Sequence, residues 1–511
     1  MGPDAPRVEA QLVIAILGAG TMGAGIAQVA LQHGYDVVLY DVAEPGLAKG
    51  RAGIEKQLAR LVEKGKLDGD ARDAALARFT TTTDLHALVA ADLVIEAAPE
   101  SLAVKQDLFR FLDEACRPDA VLASNTSSLS ITAIAACARH PERVIGLHFF
   151  NPAPLMALVE VIAAQQSGAA ALETGRQFAL ALGKTPVMCQ DTPGFIVNRV
   201  ARSFYGEALK LAGEGAPMPA IDACMRAGGF RMGPFELMDL IGIDVNFAVT
   251  QAVYGAFFGD SRFRPHPIQQ RMVAAGRLGQ KSGQGFYAYP AGPTPATPMP
   301  HGDPQRLVLV GAPADLATWA SRLAHHDLIL IDATHLPTGS LVPDLAGVLA
   351  GFEVTPGALA WLAERVPALM TTDLTRTAAA HAKLHRKPVC VVGHQDVAFA
   401  GEGLRPAVGG FYEVPDQLGL VFPRILAMLV NEAYFALGEG VASEADIDRA
   451  LCLGANYPHG PLAWGSKLGL ARVVALLDAL RHTLGEERYR AAPLLRQRVE
   501  TFQDAPAVVT A

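Results

Sequence analysis

The chain has 511 residues, of which half are hydrophobic and 18% charged, a composition typical of globular proteins and long enough for several domains. Its formal net charge of −8 offers no basic field for nucleic acid. No run of about 18 apolar residues occurs, so we expect no membrane span.

The six cysteines are scattered, with no CxxC pair and no Cys/His cluster at metal-binding spacing. We therefore expect no metal site. In a chain of this size, scattered cysteines indicate reduced thiols, as in a cytoplasmic protein, rather than a disulfide framework.

From residue 12 onward, β-branched stretches alternate with helix-like ones. Between the first two strands, TMGAGIAQVALQHG (21–34) predicts a helix closed by Gly34. The predicted strands are LVIAIL (12–17), YDVVLYD (35–41), ADLVIEAA (91–98), VLASNTS (121–127) and RVIGLHFF (143–150). This alternation predicts an α/β domain over 1–190 with a doubly wound, Rossmann-like sheet.

The pattern becomes helical at DTPGF (191–195), where Thr192 is a candidate N-cap and Pro193 suits the first helical position. We expect an all-helical domain over 191–290. Residues 291–410 hold a Pro-rich linker and a small α/β insert, whose predicted strands are RLVLVG (306–311), HDLILIDAT (326–334) and KPVCVVG (387–393).

Residues 411–511 repeat the helical domain. DTPGFIVNRVARSFYGEALKLAGEG (191–215) aligns with DQLGLVFPRILAMLVNEAYFALGEG (416–440) at one constant offset. The matching pairs are Asp191 and Asp416, Gly194 and Gly419, Arg199 and Arg424, Glu207 and Glu432, and Gly215 and Gly440. A register kept over this length predicts a duplication, with the α/β insert between the copies.

GAGTMG (18–23) fits the dinucleotide-binding pattern GxGxxG and stands between a predicted strand and a predicted helix. Its glycines allow backbone N–H groups to approach a pyrophosphate at the helix N-terminus. Asp41 ends the second strand, where a carboxylate can bind both ribose hydroxyls and repel a 2′-phosphate. This favours NAD over NADP, the alternative being that Asp41 only caps a turn.

His148 ends a predicted strand, and the carboxyl ends of such strands form the ligand-binding edge of a doubly wound sheet. Glu160 lies twelve residues later on LVEVI, after the turn NPAP, so that an antiparallel return would place it beside His148. An imidazole oriented by a buried carboxylate can accept and release a proton near neutral pH. The alternative is a core histidine near an edge glutamate.

Five blocks closely resemble the NAD-dependent L-3-hydroxyacyl-CoA dehydrogenases: NTSSLSIT (125–132), GLHFFNP (146–152), LVEV (158–161), DTPGFIVNR (191–199) and GPFELMDLIG (233–242). The resemblance covers 12–290. The repeat at 411–511 resembles the longer bacterial members linked to phenylacetate breakdown, which act on 3-hydroxyadipyl-CoA, and a related group acts on 3-hydroxybutyryl-CoA.

The resemblance implies catalytic roles for four residues. His148 would remove the proton from the substrate 3-hydroxyl and Glu160 would hold and polarise it. Ser127 would bind the substrate oxygen, and Asn198 would reach the substrate from the helical domain.

The implied cofactor-binding residues are Gly18, Gly20, Thr21, Met22, Gly23, Asp41, Glu100, Lys105, Asn125 and Asn151. Lys56 and Lys64, flanking a helix, would approach the CoA moiety, although a solvated charged surface is the alternative for either lysine.

Two departures from the family pattern stand out. Ala157 replaces a lysine that the family often has before LVEV, so substrate preference can differ. Pro423 replaces Asn198 in the repeat and cannot supply its side-chain amide, so we expect the second copy to be structural rather than catalytic. The insert has only VGAPAD (310–315) and no GxGxxG, so we expect it to bind no dinucleotide.

The sequence leaves alternatives of function and assembly open. The chain is expected to be an active hydroxyacyl-CoA dehydrogenase, and the alternative is an inactive relative that binds NAD and has a structural or regulatory role. A dehydrogenase for free hydroxy acids would place a lysine base near the domain boundary instead. The resemblance implies that the helical domain forms the dimer contact in shorter members. We therefore expect either a homodimer or a pseudo-dimer formed within one chain through its duplicated domain.

Overall fold

The structure, a computed structural model, describes residues 12–289, four strands within 306–391, and residues 421–503. The Pro-rich linker, the remainder of the insert, and Asp416 and Gly419 of the repeat lie outside the described residues. The chain forms two compact units, 1–198 with 440–455, and 199–439 with 456–511.

The first unit contains an eight-stranded sheet in the order β3-β2-β1-β4-β5-β6-β7-β8. The strands are β1 (Val13–Leu17), β2 (Asp36–Tyr40), β3 (Phe79–Thr82), β4 (Leu93–Glu96), β5 (Val121–Ser124), β6 (Val144–Phe149), β7 (Leu158–Ala163) and β8 (Thr185–Gln190). Strands β1–β6 are mutually parallel, β7 is antiparallel to β6, and β8 is parallel to β7. This confirms the predicted Rossmann-like α/β fold.

The helices of the first unit connect and cover these strands. They are α1 (Thr21–Gln32), α2 (Glu44–Glu63), α3 (Gly69–Ala77), α4 (Leu102–Ala115), α5 (Ile131–Ala135) and α6 (Ala169–Ala181), with Glu444–Gly454 from the repeat. The short helix α7 (Val197–Val200) begins in this unit, which ends at residue 198. The central strands are rich in apolar residues, and the helices and neighbouring segments bury these residues, as with Ile14, Ile16 and Ile95.

The expected helix start at Thr192 and Pro193 is wrong. Residues 193–196 form turns, and α7 begins only at Val197. Gly194 and Phe195 have positive φ values of 78° and 50°, which belong to the left-handed region and interrupt a right-handed helix.

The described residues of the second unit form helices and, within the insert, four strands. Its helices are α8 (Arg202–Gly213), α9 (Met218–Ala227), α10 (Pro234–Ile241), α11 (Ile243–Ala256) and α12 (Pro267–Ala274), followed by Phe422–Gly438, Pro461–Leu468, Leu470–Leu484 and Pro493–Gln503 from the repeat. The insert's strands, Arg306–Gly311, Asp327–Asp332, Leu349–Phe352 and Cys390–Val391, form a separate sheet with parallel and antiparallel pairs.

Buried ion pairs join the two helical copies within the second unit, and they are reciprocal. Arg199 binds Glu432 of the repeat (Nε to Oε1, 2.8 Å), and Arg424 of the repeat binds Glu207 (Nε to Oε1, 2.5 Å). These residues correspond at the repeat offset. The same correspondence relates the pairs Arg199 with Glu439 and Arg424 with Glu214.

Candidate active site

The glycine-rich loop lies at the carboxyl end of β1, where the chain enters α1. Gly18 has φ 102°, and a Cβ there would come 2.5 Å from the Ala97 carbonyl oxygen. A Cβ on Gly23 would come 1.8 Å from the Gly18 oxygen. A Cβ on Gly20 would meet nothing within 4 Å, and no side chain caps α1 there. The uncapped helix N-terminus beside open space fits a dinucleotide pyrophosphate.

Asp41 follows β2 and lies beside this loop. Its Oδ2 accepts a hydrogen bond from the Ala19 backbone N–H (2.8 Å), and its Oδ1 accepts one from Ala43 (3.2 Å). The carboxylate is therefore held at the edge of the sheet that carries the glycine loop. Thr21 is exposed and Met22 half-buried at the start of α1.

The structure brings His148 and Glu160 together. The antiparallel pairing of β6 and β7 aligns the two residues directly opposite each other. His148 Nδ1 lies 2.7 Å from Glu160 Oε2, and the two side chains are only 7% and 0% exposed. The rings of Phe150 and Phe195 lie 4.5 and 5.8 Å from the imidazole, centroid to centroid. This apolar enclosure strengthens the hydrogen bond between the two side chains.

Glu160 has a second set of partners that the sequence did not reveal. Its Oε1 accepts the backbone N–H groups of Ile196 and Val197, each at 3.0 Å. These two residues lead directly into Asn198, whose Nδ2 lies 3.5 Å from the backbone oxygen of Ser127. One carboxylate thus fixes both the imidazole and the chain that carries Asn198, which belongs to the first compact unit.

Glu100 organises the turn that contains Ser127. Its Oε1 accepts hydrogen bonds from Thr126 Oγ1 (2.5 Å), Ser128 Oγ (2.7 Å) and the backbone N–H groups of Ser127 and Ser128. Burial favours the neutral acid, but the Thr126 hydrogen bond and the Lys105 charge outweigh it and lower the pKa of Glu100. The turn is therefore tied to an ionised carboxylate.

The remaining predicted site residues differ in how far they are exposed to solvent. Asn125 Oδ1 accepts the Phe149 N–H (2.9 Å), next to His148, whereas Asn151 is exposed. Lys105 is only 1% exposed and binds Glu96 and Glu100. Lys56 and Lys64 are both exposed, but Lys56 lies within α2 rather than at its flank, and Lys64 directly follows the helix.

Three polar residues that the sequence did not single out as site residues also support this region. Lys184 donates from Nζ to the backbone oxygens of Ala153 and Met156, and burial lowers its pKa. Asp191 Oδ2 accepts from Ser130 Oγ and Thr132 N, both at 2.7 Å. The third, Glu96, is fully buried. Of these three residues, only Asp191 could have been noticed in the sequence, because it matches Asp416 in the repeat.

Among the residues that the structure describes, no cluster of His, Cys, Asp or Glu has the composition of a metal site. Within the same residues, no helix is long and apolar enough to cross a bilayer.

The fold and the site define an NAD-binding oxidoreductase with a buried histidine–carboxylate pair. A family model described as 3-hydroxyacyl-CoA dehydrogenase, NAD binding domain, matches residues 13–192. A second, described as 3-hydroxyacyl-CoA dehydrogenase, C-terminal domain, matches both 194–289 and 419–503. The helical domain therefore occurs twice.

The chain is similar to known proteins along nearly its whole length. It is 44% identical to the 3-hydroxyadipyl-CoA dehydrogenase of Escherichia coli K12, over 95% of this chain and 97% of that protein. A crystal structure of 3-hydroxybutyryl-CoA dehydrogenase from Escherichia coli K12 matches with a TM-score of 0.75 and 41% identity, covering 96% of this chain and 98% of the other.

A shorter relative matches the N-terminal half. The probable 3-hydroxybutyryl-CoA dehydrogenase of Deinococcus radiodurans is 46% identical over 54% of this chain and 99% of its own. The chain belongs to the 3-hydroxyacyl-CoA dehydrogenase family and is an NAD-dependent 3-hydroxyacyl-CoA dehydrogenase. The resemblance predicted from the five sequence blocks is confirmed.

Proposed function

We propose that this enzyme oxidises the 3-hydroxyl group of an L-3-hydroxyacyl-CoA whose acyl group is 3-hydroxyadipyl or 3-hydroxybutyryl, giving the 3-oxoacyl-CoA. The observation that carries the proposal is the 2.7 Å contact between His148 and Glu160 in an apolar enclosure. The full-length relative named for 3-hydroxyadipyl-CoA supports the first substrate, and the solved structure named for 3-hydroxybutyryl-CoA supports the second.

The chain's cofactor residues would hold NAD at the carboxyl edge of the sheet. The N-terminus of α1, with Gly18, Gly20, Thr21, Met22 and Gly23, would bind the pyrophosphate, and Asp41 the ribose. Glu100, Lys105, Asn125 and Asn151 would support the opposite, nicotinamide end. When bound, NAD accepts the hydrogen that leaves substrate C3 with its electron pair.

His148 is the proton acceptor in this proposal. Glu160 occupies Nδ1, so the other ring nitrogen, Nε2, is the atom that takes the proton of the substrate hydroxyl. The carboxylate fixes the tautomer and stabilises the imidazolium that forms. His148 then releases this proton before the next turnover.

Ser127 and Asn198 orient the substrate oxygen, which keeps the 3-hydroxyl within reach of the imidazole. The bonds from Glu160 to the backbone leading into Asn198, and from Glu100 to the Ser127 turn, support that geometry. Lys56 and Lys64 are exposed cations suited to the phosphates of CoA.

A screen for NADH formation tests the proposal. The purified enzyme is given NAD with L-3-hydroxybutyryl-CoA, longer aliphatic homologues and 3-hydroxyadipyl-CoA, and kcat/KM is compared. We expect the highest value for 3-hydroxyadipyl-CoA or 3-hydroxybutyryl-CoA. NAD binding without NADH formation from any thioester would instead support the inactive structural or regulatory relative.

We further propose that residues 411–511 take the place of a partner subunit, which makes the chain a pseudo-dimer. The reciprocal ion pairs of Arg199 and Arg424 support this, because corresponding residues of the two copies exchange the same contacts. Replacement of Asn198 by Pro423 leaves the repeat without the side-chain amide, which supports a structural role.

We propose a cytoplasmic enzyme of acyl-CoA breakdown, in phenylacetate catabolism or fatty acid β-oxidation. The free thiols of Cys116, Cys137, Cys189, Cys224 and Cys452 support a reducing compartment. The full-length similarity to the 3-hydroxyadipyl-CoA dehydrogenase supports the first of these pathways.

A further inference from the structure

A buried carboxylate outside the proposed catalytic set lies at the centre of the cofactor edge. Glu96 is the last residue of β4 and is 0% exposed. Its neighbours in the sheet are Leu17, which precedes the glycine loop, and Ser124, which precedes the turn at Asn125. Glu96 therefore stands between the two chain segments that form the ligand-binding edge.

Every carboxylate contact of Glu96 goes to an element of this edge. Oε1 accepts from Lys105 Nζ (2.5 Å) and from the backbone N–H of Ala98 (2.6 Å). Oε2 accepts from Ser124 Oγ (2.6 Å). These partners come from α4, from the loop after β4 and from β5, so one side chain ties three elements together.

Lys105 links the buried Glu96 to the more exposed Glu100. Its ammonium, 1% exposed, also lies 3.4 Å from Glu100 Oε2. Glu100 is 40% exposed, and its other oxygen holds the Thr126–Ser128 turn. The contacts form a continuous chain from the buried carboxylate through the ammonium to the exposed carboxylate and the turn.

We propose that Glu96 is a positioning residue for the cofactor half of the active site. Being fully buried, it touches no ligand and acts by fixing Lys105, which in turn fixes Glu100 and the Ser127 turn. The inference rests on the proposed function, in which Lys105 and Glu100 support the nicotinamide end. Neutralising Glu96 releases the Lys105 ammonium toward Glu100 and disorders the NAD site.

The alternative is that Glu96 and Lys105 form a buried ion pair that stabilises the fold and nothing else. The same unit contains such a pair as a matched control. Asp113, also on α4 and 1% exposed at its side chain, binds Arg143 Nε and Nη2 at 3.0 and 2.9 Å. Its other partners are the backbone N–H groups of Arg139 and His140, not the cofactor edge.

The test compares Glu96→Gln with Asp113→Asn. Each substitution keeps the side-chain shape and removes one buried charge, so both are expected to lower the melting temperature. NAD affinity is measured by titration calorimetry without substrate, alongside kcat and KM. We expect E96Q to weaken NAD binding about tenfold or more, whereas D113N binds NAD as the wild type does.

A second comparison tests whether Glu96 acts through the ammonium group of Lys105. Lys105→Met and the double variant E96Q/K105M should bind NAD about equally weakly, because Glu96 acts only through Lys105 toward the cofactor. Wild-type affinity in E96Q, equal losses in E96Q and D113N, or additive losses in the double variant would each overturn the inference. If the wild type binds NAD but oxidises no thioester, the proposed function fails while the comparison of affinities still decides the role of Glu96.

Discussion

The buried histidine–glutamate pair explains why ionisable side chains occupy an apolar stretch of sequence. Each group satisfies the other, because Glu160 accepts from the imidazole on one oxygen and from two backbone N–H groups on the other. Both groups therefore have hydrogen-bond partners although they are almost fully buried. These contacts fix the position of the imidazole in advance, which the proton transfer proposed for His148 requires.

Replacing His148 by Ala tests the imidazole directly. We expect kcat to fall by about 10²–10⁴-fold, the usual contribution of a general base. The dissociation constant for NAD should stay nearly unchanged, because the predicted cofactor contacts come from other residues. Glu160→Gln is the companion variant, with a smaller loss, since it keeps the shape but not the charge. Equal loss of turnover and NAD binding in H148A would indicate misfolding instead.

Asp41 is predicted to determine the preference of the enzyme for NAD over NADP. Asp41→Ala should raise the dissociation constant of NAD about tenfold or more through the loss of hydrogen bonds to a charged acceptor. Binding of NADP should improve relative to NAD, because the carboxylate no longer repels a 2′-phosphate. Asp41→Asn serves as the control that keeps a hydrogen-bonding side chain beside Ala19. An NAD affinity equal to that of the wild type would remove Asp41 from the ribose site.

Much of the candidate site was visible in the sequence because its residues stand in local motifs. Gly18 and Asp41 follow strands, and His148 and Glu160 are twelve residues apart in one hairpin. Glu96 and Lys184 were not visible, since their roles arise from burial and from partners brought near by the fold. Nothing in one sequence distinguishes such a residue from a polar side chain at the end of a strand.

At the level of elements, the sequence predicted the strands that are rich in β-branched residues and missed others. Strand β3 (FTTT) is short and largely polar, and β8 (TPVMCQ) begins with a proline-containing segment. The helix after DTPG was predicted too early. Pro193 suits a helix start, but the next two residues, Gly194 and Phe195, adopt the left-handed conformation, which delays the helix to Val197. Tertiary contacts to Glu160 fix this turn.

The reciprocal ion pairs give a prediction for the helical elements. Glu432 pairs with Arg199 and Arg262, and Glu207 pairs with Arg424 and Arg488. Glu432→Ala and Glu207→Ala each remove a carboxylate from two buried arginines, so each should lower the free energy of unfolding by about 3–5 kcal/mol. Because the pairs correspond across the repeat, the two losses should be similar. Both losses of stability are measured by urea unfolding, with circular dichroism as the readout. Glu487→Ala, which breaks the exposed pair with Arg481, is the control and should have little effect. If only one of the two variants, Glu432→Ala or Glu207→Ala, lost stability markedly, the two helical copies would not be equivalent.

Acid should weaken the helical unit through Asp260, which binds Arg262 and, in the repeat, Arg490. Burial favours its neutral form, yet hydrogen bonds from the backbone and side chain of Arg262 and from Arg490 lower the pKa of Asp260 to about 2. An acid whose pKa is lower in the folded state contributes stability above the unfolded pKa of about 4, and this contribution disappears as the pH falls through about 2.

Asp260→Asn removes this pH-dependent contribution. The variant should be less stable than the wild type above about pH 4, and the two urea midpoints should converge as the pH falls toward about 2. A difference between the midpoints that does not change over this range would show that Asp260 contributes through packing alone.

At the scale of the whole chain, the repeat contributes to both compact units. In the second, Glu432 and Arg424 pair with the first helical copy. In the first, the Gln190 N–H donates to the Val441 oxygen (2.8 Å), and a Cβ on Gly454 would come 2.6 Å from Leu158 on the strand of Glu160. A segment that has Pro423 in place of Asn198 is thus built into the surroundings of His148 and Glu160.

Deletion of residues 411–511 tests whether the repeat replaces a partner subunit. In the second unit it leaves Arg199 and Glu207 as uncompensated charges on a newly exposed apolar surface, and in the first it removes the helix that packs on β7 and β8. We expect the truncated chain to be insoluble or to dimerise through residues 191–290, which regains the same contacts between two chains. Light scattering during size-exclusion chromatography distinguishes these states, with the full-length enzyme as the control. A soluble truncated monomer with an unchanged melting temperature would contradict the pseudo-dimer, because no surface would then have needed the second copy.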